Sequence, residues 1–373
     1  MKRSLQRRVW VEIDIGRLRA NYRRIAEAVR PAKVMCVLKA NAYGLGVEPY
    51  AAALAKSSCV GFGVAEPHEA LQLLPFGKPV QILSSVLPDE IGPMVEAGIT
   101  LPVIDVPTAR LIDRAAGKIG CKAKVHFKID TGMGRLGILA ADAPRVIREV
   151  SAFSNLDCEG IFSHCPTAYD PADDFANDQI ALFKAILKDV AKDGITFRKV
   201  HIAASDAINN FPAARKPPFN IVRTGINLHG SFDPNGRRAL RLESVLTLKT
   251  RVAQVRLLPA GTTLGYGRTW CLSKPTRVAT ISAGYADGLP LALTNRGHVL
   301  IKGVPCPVIG RISMDYTTVD VSKVDSVNPG DEVIALGGTG KYAITPDDWA
   351  ALKGTHAYDI ICSFGNRVER RYC

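Results

Sequence analysis

The sequence predicts an α/β fold in two parts: an N-terminal (β/α)8 TIM barrel over residues 1–237 and a mainly-β domain over residues 238–373. Three observations predict it. Up to about residue 235, eight short apolar runs alternate with amphipathic, alanine-rich stretches. Alternation implies parallel βαβ units, and eight of them imply a closed barrel. Beyond about residue 238 the hydrophobic period falls to two, and Gly and Pro turns separate short runs.

The elements follow in order. An amphipathic helix over GRLRANYRRIAEAV (16–29) puts Leu18, Tyr22, Ile25 and Val29 on one face. The strand candidates are KVMCVL (33–38), CVGFGV (59–64), PVQILS (79–84), ITLPVI (99–104), AKVHFKI (123–129), LDCEGIFS (156–163), FRKVHIA (197–203) and FNIVR (219–223). Between them, EPHEALQLL (66–74) and PTARLIDRAAG (107–117) carry apolar residues at helical spacing. In the second part, LESVLTLKTRVAQVRLL (242–258), TRVATIS, GHVLIKGVPCPVIG and GDEVIALGG read as strands.

Composition narrows the function. The 373 residues carry a formal charge of +13, with an isoelectric point near 9.4. Lys and Arg are spread along the chain, with short clusters only at Lys2–Arg8 and Arg367–Arg371, both read as solvated surface. No nucleic-acid motif accompanies them, so the charge points to a basic enzyme that attracts anionic ligands. No segment suits a membrane span, and no apolar h-region follows the basic start, so the cytoplasm is the expected compartment. Nine cysteines form no CxxC pair, and Cys158, His164 and Cys165 match no zinc spacing. Reduced cysteines and no metal are expected.

Barrel enzymes keep their chemistry at the carboxyl ends of the strands. Lys39 follows the first strand. Lys128, Asp130 and Arg135 surround the end of the fifth, and His164 follows the sixth. Ser205 follows the seventh, and Arg223, Thr224 and Gly225 the eighth. This rim is rich in cations. HIAASDA (201–207) and RTGINLHG (223–230) supply a hydroxyl, glycine and exposed N–H groups, which a phosphate needs. A lysine at a strand tip facing a phosphate pocket suggests a Schiff base to an aldehyde cofactor, because burial and nearby cations make the amine nucleophilic. Position alone leaves a solvated loop lysine open.

Wider motifs carry a resemblance. VLKANAYGLG (37–46), FKIDTGMGRLG (127–137), SHCPTAYD (163–170), VRTGINLHG (222–230), LGYG (264–267), ISAGYADG (281–288), IGRISMDY (309–316) and AYDIICSFGNRVERRY (357–372) resemble, in order, the motifs of the alanine racemases. They span nearly the whole chain. The resemblance implies a fold type III isomerase that interconverts L- and D-alanine on pyridoxal 5'-phosphate by a two-base mechanism. Its D-alanine would serve peptidoglycan or be catabolised.

Residue by residue, Lys39 resembles the Schiff-base lysine, also the base toward the D-enantiomer, and Tyr266 the opposite base. One takes a proton from its face while the other delivers one to the far face. Arg223 resembles the arginine on the pyridine nitrogen, and His164 the imidazole beside it. Because arginine does not readily give up a proton, it restrains the ring as an electron sink. Tyr43, Ser205, Gly225, Ile226 and Tyr358 resemble the phosphate cradle. Arg135 resembles the contact to the phenolic oxygen and the substrate carboxylate. Lys128 stands where many members carry a carbamate. Met314 and Asp315 resemble a loop that reaches the substrate, and Tyr285 an entrance residue. The resemblance implies a homodimer in which Tyr266, Tyr285 and Met314 act on the partner's cofactor.

Considered singly, each residue has a plainer reading: a turn tyrosine for Tyr266, a core histidine for His164, an Arg135–Asp130 ion pair, core filler for Met314. The sequence also departs from the family pattern. Ser313 and Tyr316 replace a common cysteine and glutamine, Thr224 a proline, and His229 a tyrosine. HCPTAYD stands for a more usual HFATAD type, and LGYG lacks the serine before its tyrosine. A racemase of broader specificity, serine included, therefore stays open. The NAYG and GYADG signatures count against a decarboxylase on a related scaffold. The β domain counts against a non-catalytic carrier of the cofactor.

Overall fold

Each of the eight apolar runs becomes a parallel strand, buried on both faces as strands between a core and a layer of helices must be. The computed structural model describes residues 7–233 and 235–373. Chain order in the first part is β1 (Trp10–Ile13), α1 (Ile15–Ala28), β2 (Lys33–Val37), α2 (Lys39–Tyr43), α3 (Val47–Ala55), β3 (Gly61–Val64), α4 (Pro67–Leu73), β4 (Val80–Ile82), α5 (Pro88–Glu96), β5 (Leu101–Val103), α6 (Val106–Ile119), β6 (Ala123–Asp130), β7 (Ile138–Leu139), α7 (Ala143–Ser151), β8 (Leu156–Phe162), α8 (Phe175–Ala191), β9 (Lys199–His201), α9 (Ser205–Asn210) and β10 (Ile221–Thr224).

The parallel strands form two runs, β10-β2-β3-β4 and β5-β6-β8-β9. Hydrogen bonds at both seams close them into a barrel. Between β4 and β5, the Ile82 N–H donates to Thr100 O (3.1 Å) and the Thr100 N–H to Val80 O (2.9 Å). Between β9 and β10, the Asn220 N–H donates to Val200 O (3.0 Å) and the Arg223 N–H to Ala203 O (2.9 Å). Helix α1 starts because the Asp14 carboxylate accepts from the Arg17 N–H at 2.8 Å. Its predicted face, Leu18, Tyr22, Ile25 and Val29, is buried.

The second part contains β11 (Leu246–Leu258), β12 (Thr263–Leu264), β13 (Trp270–Cys271), β14 (Thr276–Ile281), β15 (His298–Ile301), β16 (Val304–Pro307), β17 (Thr317–Asp320), β18 (Glu332–Leu336), α10 (Pro346–Lys353), α11 (Ala357–Cys362) and β19 (Glu369–Tyr372). Most of these strands join one eight-stranded sheet. Strand β1 joins it too, antiparallel to β11 (Trp10↔Lys249) and parallel to β19 (Trp10↔Glu369). The first strand therefore sits outside the barrel run, and four residues were too short to announce a period.

In the Arg367–Arg371 cluster, Arg370 and Arg371 are half-buried rather than solvated surface, while Arg367 stays exposed. The Arg370 guanidinium donates to Gly44 O, Gly365 O, Val368 O and Phe364 O. Arg371 pairs with Glu369 and lies 4.6 Å from the Trp10 ring centroid. Of the other basic cluster, residues 2–6 lie outside the described residues. Among the described residues no helix is long and apolar enough to cross a membrane, and the nine cysteines are unpaired.

Candidate active site

The site begins where β2 ends. Lys39 opens α2, which is not a right-handed helix: Ala40, Asn41, Ala42 and Tyr43 have φ of 53°, 54°, 52° and 59°. A left-handed turn of non-glycine residues costs about 1–2 kcal/mol per residue, so the surroundings must impose it. They do so through hydrogen bonds. The Ala42 and Gly44 N–H groups donate to Leu38 O and Ala40 O at 2.9 and 2.7 Å. The Val47 N–H donates to Asn41 Oδ1 at 2.8 Å. The Glu69 carboxylate accepts from the Ala40 N–H and, at 2.8 Å, from the Ala65 N–H. The Tyr372 hydroxyl donates to Leu45 O at 2.9 Å. The Lys39 amine is thereby aimed from a rigid mount, and burial together with Arg135 lowers its pKa.

Across the mouth, Lys128 is buried and donates to Leu83 O (2.8 Å) and Ser84 O (3.2 Å). Burial, then Arg135 and Arg223, push its pKa down to about 8. Asp130 makes no ion pair with the Arg135 guanidinium. It holds the loop itself, accepting from the N–H groups of Gly132, Met133 and Gly134 at 2.8–3.1 Å and of Arg135 at 3.2 Å. The exposed Arg135 side chain projects from a fixed turn.

Arg223 is buried at the end of β10. One terminal nitrogen contacts His201 Nδ1 at 2.7 Å, and the other donates to Ser163 O (2.7 Å) and Ile202 O (3.0 Å). Its Nε has no partner among the described residues and remains available to a ligand acceptor. His164 stands in the field of Arg223, Arg135, Lys39 and Lys128, and burial first, then these cations, push its pKa down to about 3. It is a neutral ring, not a satisfied core histidine: its nitrogens have no hydrogen bond among the described residues.

The turns after β9 and β10 gather groups that suit an anion. The Gly225 N–H donates to Ser205 Oγ at 3.1 Å. A Cβ on Gly225 would collide with the Tyr43 hydroxyl, so glycine is what lets that phenol enter. The Ile226 N–H, at the head of a short 3-10 turn (Ile226–His229), has no acceptor among the described residues. Tyr358 of α11 brings its ring within 6.0 Å of Tyr43. Sequence reasoning missed two carboxylates here. One is Glu69. The other is Asp206, whose pKa burial and Asp233 push up to about 6, beside Tyr358. The signal for Asp206 was its place directly after Ser205.

Tyr266, Tyr285, Met314 and Asp315 lie elsewhere on the chain. Tyr266 is 73% exposed, and Tyr285 and Met314 are exposed too. Tyr266 borders a cavity of about 340 Å³ with Gly265, Arg311, Ser313, Tyr316 and Thr318. No hydrogen bond, ion pair or ring contact among the described residues joins them to Lys39. Two of these loops are zipped together. The Tyr285 N–H donates to Ser313 O (3.1 Å) and the Ala286 N–H to Met314 O (3.2 Å). The Asp315 carboxylate is committed to Arg367 at 2.7 Å, and Arg367 also grips Asp287 at 2.7 and 3.0 Å.

A lysine on a strained mount, a neutral imidazole among cations and a set of anion-suited groups, all at the strand ends of one barrel, suit a class of barrel enzyme that captures a phosphorylated carbonyl compound. Comparison is more specific. Residues 13–233 match the family model described as alanine racemase, N-terminal domain, and residues 245–372 that described as alanine racemase, C-terminal domain. The chain belongs to the alanine racemase family. It is 37% identical to alanine racemase 2 of Caldanaerobacter subterraneus subsp. tengcongensis, over 97% of this chain and 94% of that one. It is 34% identical to the alanine racemase of Symbiobacterium thermophilum, over 98% and 97%. The fold superposes with a TM-score of 0.91 on the alanine racemase of Streptomyces lavendulae, at 31% identity over 99% and 98% of the chains. With the Bartonella henselae alanine racemase, solved with covalently bound pyridoxal phosphate, the TM-score is 0.89 at 31% identity, over 99% and 100%.

Proposed function

We propose that this isomerase interconverts L- and D-alanine on pyridoxal 5'-phosphate held at the barrel rim. The observation that carries the reading is Lys39: an amine of lowered pKa on a strained left-handed turn at the end of β2. The residues present fit the cofactor. Tyr43, Ser205, Gly225, Ile226 and Tyr358 would hold the phosphate, Arg223 Nε the ring nitrogen, and His164 would stand beside the ring. Bound, the cofactor supplies an electron sink for the charge left when the α-proton departs.

The chain's own groups do the rest. Lys39 would hold the aldehyde until the substrate amine displaces it, and its freed amine would then move a proton on one face of the substrate α-carbon. Tyr266 moves a proton on the other. Arg135 binds the substrate carboxylate. Lys128, with a pKa near 8, offers the neutral amine that carbon dioxide needs, and its carbamate would orient Arg135. Because Tyr266, Tyr285 and Met314 are exposed and apart from Lys39, they complete the site of a second copy in a homodimer. The boundary between barrel and β domain falls at 237/238, and β1 belongs to the sheet of the second part. The compartment is the cytoplasm, and D-alanine goes to peptidoglycan or comes from catabolism.

One experiment tests this. The purified protein, supplied with cofactor, is examined by absorption and then incubated with L-alanine in deuterium oxide. A lysine-bound cofactor band that Lys39→Ala abolishes, together with D-alanine deuterated at the α-carbon, is expected. No band overturns the cofactor assignment. A band without D-alanine overturns the substrate. The Ser313 and Tyr316 hydroxyls near Tyr266 favour one second reading, turnover of serine as well, which the same assay with L-serine measures.

A further inference from the structure

Arg223 is a buried cation with no carboxylate of its own. What it has instead is a chain of side chains leading away through the barrel core. Arg223 Nη1 lies 2.7 Å from His201 Nδ1. His201 Nε2 lies 3.0 Å from His126 Nδ1. His126 Nε2 lies 3.4 Å from Glu159 Oε2. Lys199 Nζ sits 2.9 Å from Glu159 Oε1, and Arg198 lies at 4.0 Å. His126 and His201 are fully enclosed, and Phe162 stacks on His201 at 5.1 Å and 6°.

The polarity of this chain is fixed by chemistry. A guanidinium only donates, so His201 Nδ1 must accept and its proton must sit on Nε2. His126 Nδ1 then accepts, and its Nε2–H donates to the Glu159 carboxylate. The space for it is built in. A Cβ on Gly160 would lie 2.6 Å from the His126 ring, and the β6–β8 register shifts at His126.

Resting on the proposed role of Arg223, we infer that Glu159 is the remote counter-charge of Arg223, transmitted through His126 and His201, and that these three are positioning residues for the cofactor ring nitrogen. Hydrogen bonds in a dry chain polarise one another. A stronger acceptor at Glu159 strengthens the pull of His201 on one side of the guanidinium. That leaves Arg223 Nε a weaker donor to the ring nitrogen, which restrains the ring as an electron sink. Burial supports the protonation pattern: His126 and His201 both have lowered pKa values, and Glu159, bonded to His126, also has a lowered one.

The sign gives the test. Glu159→Gln removes the charge and keeps the shape. Lys199→Met, at the barrel's other end, removes the cation that neutralises Glu159. The proposal expects Glu159→Gln to raise pyruvate formed from alanine, per racemisation event, and Lys199→Met to lower it. The visible band of the cofactor-loaded protein should shift in opposite directions in the two variants, with melting temperature and cofactor loading held. In cofactor-free wild type, imidazole nitrogen NMR should show His126 and His201 neutral with the proton on Nε2. A proton on His201 Nδ1, or shifts of the same sign or none in the two variants, overturns the proposal. If Glu159→Gln does not fold, Lys199→Met and the wild-type tautomers decide alone. Failure of the wild type to load cofactor or racemise alanine would instead sink the functional reading beneath it.

Discussion

At the scale of single residues, the groups that would do chemistry were legible and the groups that tune them were not. Lys39, Arg223 and Tyr266 stand in motifs, so their types and order were readable. Glu69, Glu159 and His126 act through neighbours far away in sequence, and nothing local distinguishes them from ordinary helix or strand residues, while Asp206 is marked only by following Ser205. Asp206 yields a pH prediction. Burial together with Asp233 raises its pKa to about 6. A phosphate dianion beside it favours the protonated carboxyl still more, so binding takes up a proton there. Affinity is then fully present below about pH 6 and weakens as pH rises through it. Asp206→Asn should bind inorganic phosphate like the wild type at pH 5 and about tenfold more tightly at pH 8, since each unit of pKa shift is a factor of ten. Calorimetric titration of the cofactor-free protein at the two pH values measures this, and a constant ratio between the proteins would remove Asp206 from the anion-suited groups.

At the scale of elements, the barrel strands were legible because each is a continuous apolar run between helical patterns, which burial on both faces requires. Strand β1 was not, being four residues long and paired with strands more than two hundred residues away. Nor was the hand of α2. Ala, Asn and Tyr carry no sign of a left-handed backbone, so VLKANAYGLG announced a turn without its geometry. The turn is held partly by β19, and Gly46 shows how tightly. It sits at φ +101°, and a Cβ there would collide with the Tyr372 hydroxyl. Gly46→Ala should lower unfolding stability by about 2–3 kcal/mol through strain and collision. Tyr372→Phe alone should cost about 1 kcal/mol, the loss of its bond to Leu45 O. The double variant should cost less than the sum, because the colliding hydroxyl is gone. Urea denaturation of the four proteins measures the coupling, and strict additivity would mean that Tyr372 does not press on this loop.

At the scale of the whole molecule, one chain carries both residues proposed as bases, and no contact among the described residues joins them. The Lys39 group lies on the barrel rim, whereas Tyr266 lies 73% exposed on the β domain, beside a cavity. Exposed Tyr285, Tyr316 and Met314 add an apolar surface there that a monomer would leave wet. Two-fold assembly answers both facts if each β domain closes the other subunit's barrel. Hybrid dimers separate this from a single-chain site. Lys39→Ala and Tyr266→Phe each remove one base and should each be inactive as homodimers. When they are mixed and allowed to exchange subunits, shared sites predict recovery. In the hybrid, one barrel keeps Lys39 and receives Tyr266 from its neighbour, while the other barrel lacks both. Random exchange makes about half the dimers hybrid, each with one working site of two, so activity should return to roughly a quarter of wild type. Sites completed within one chain predict no recovery, since every barrel then lacks one base. The recovery should also fail under dilution below the dimer dissociation constant, which ties the activity to assembly rather than to revertant protein.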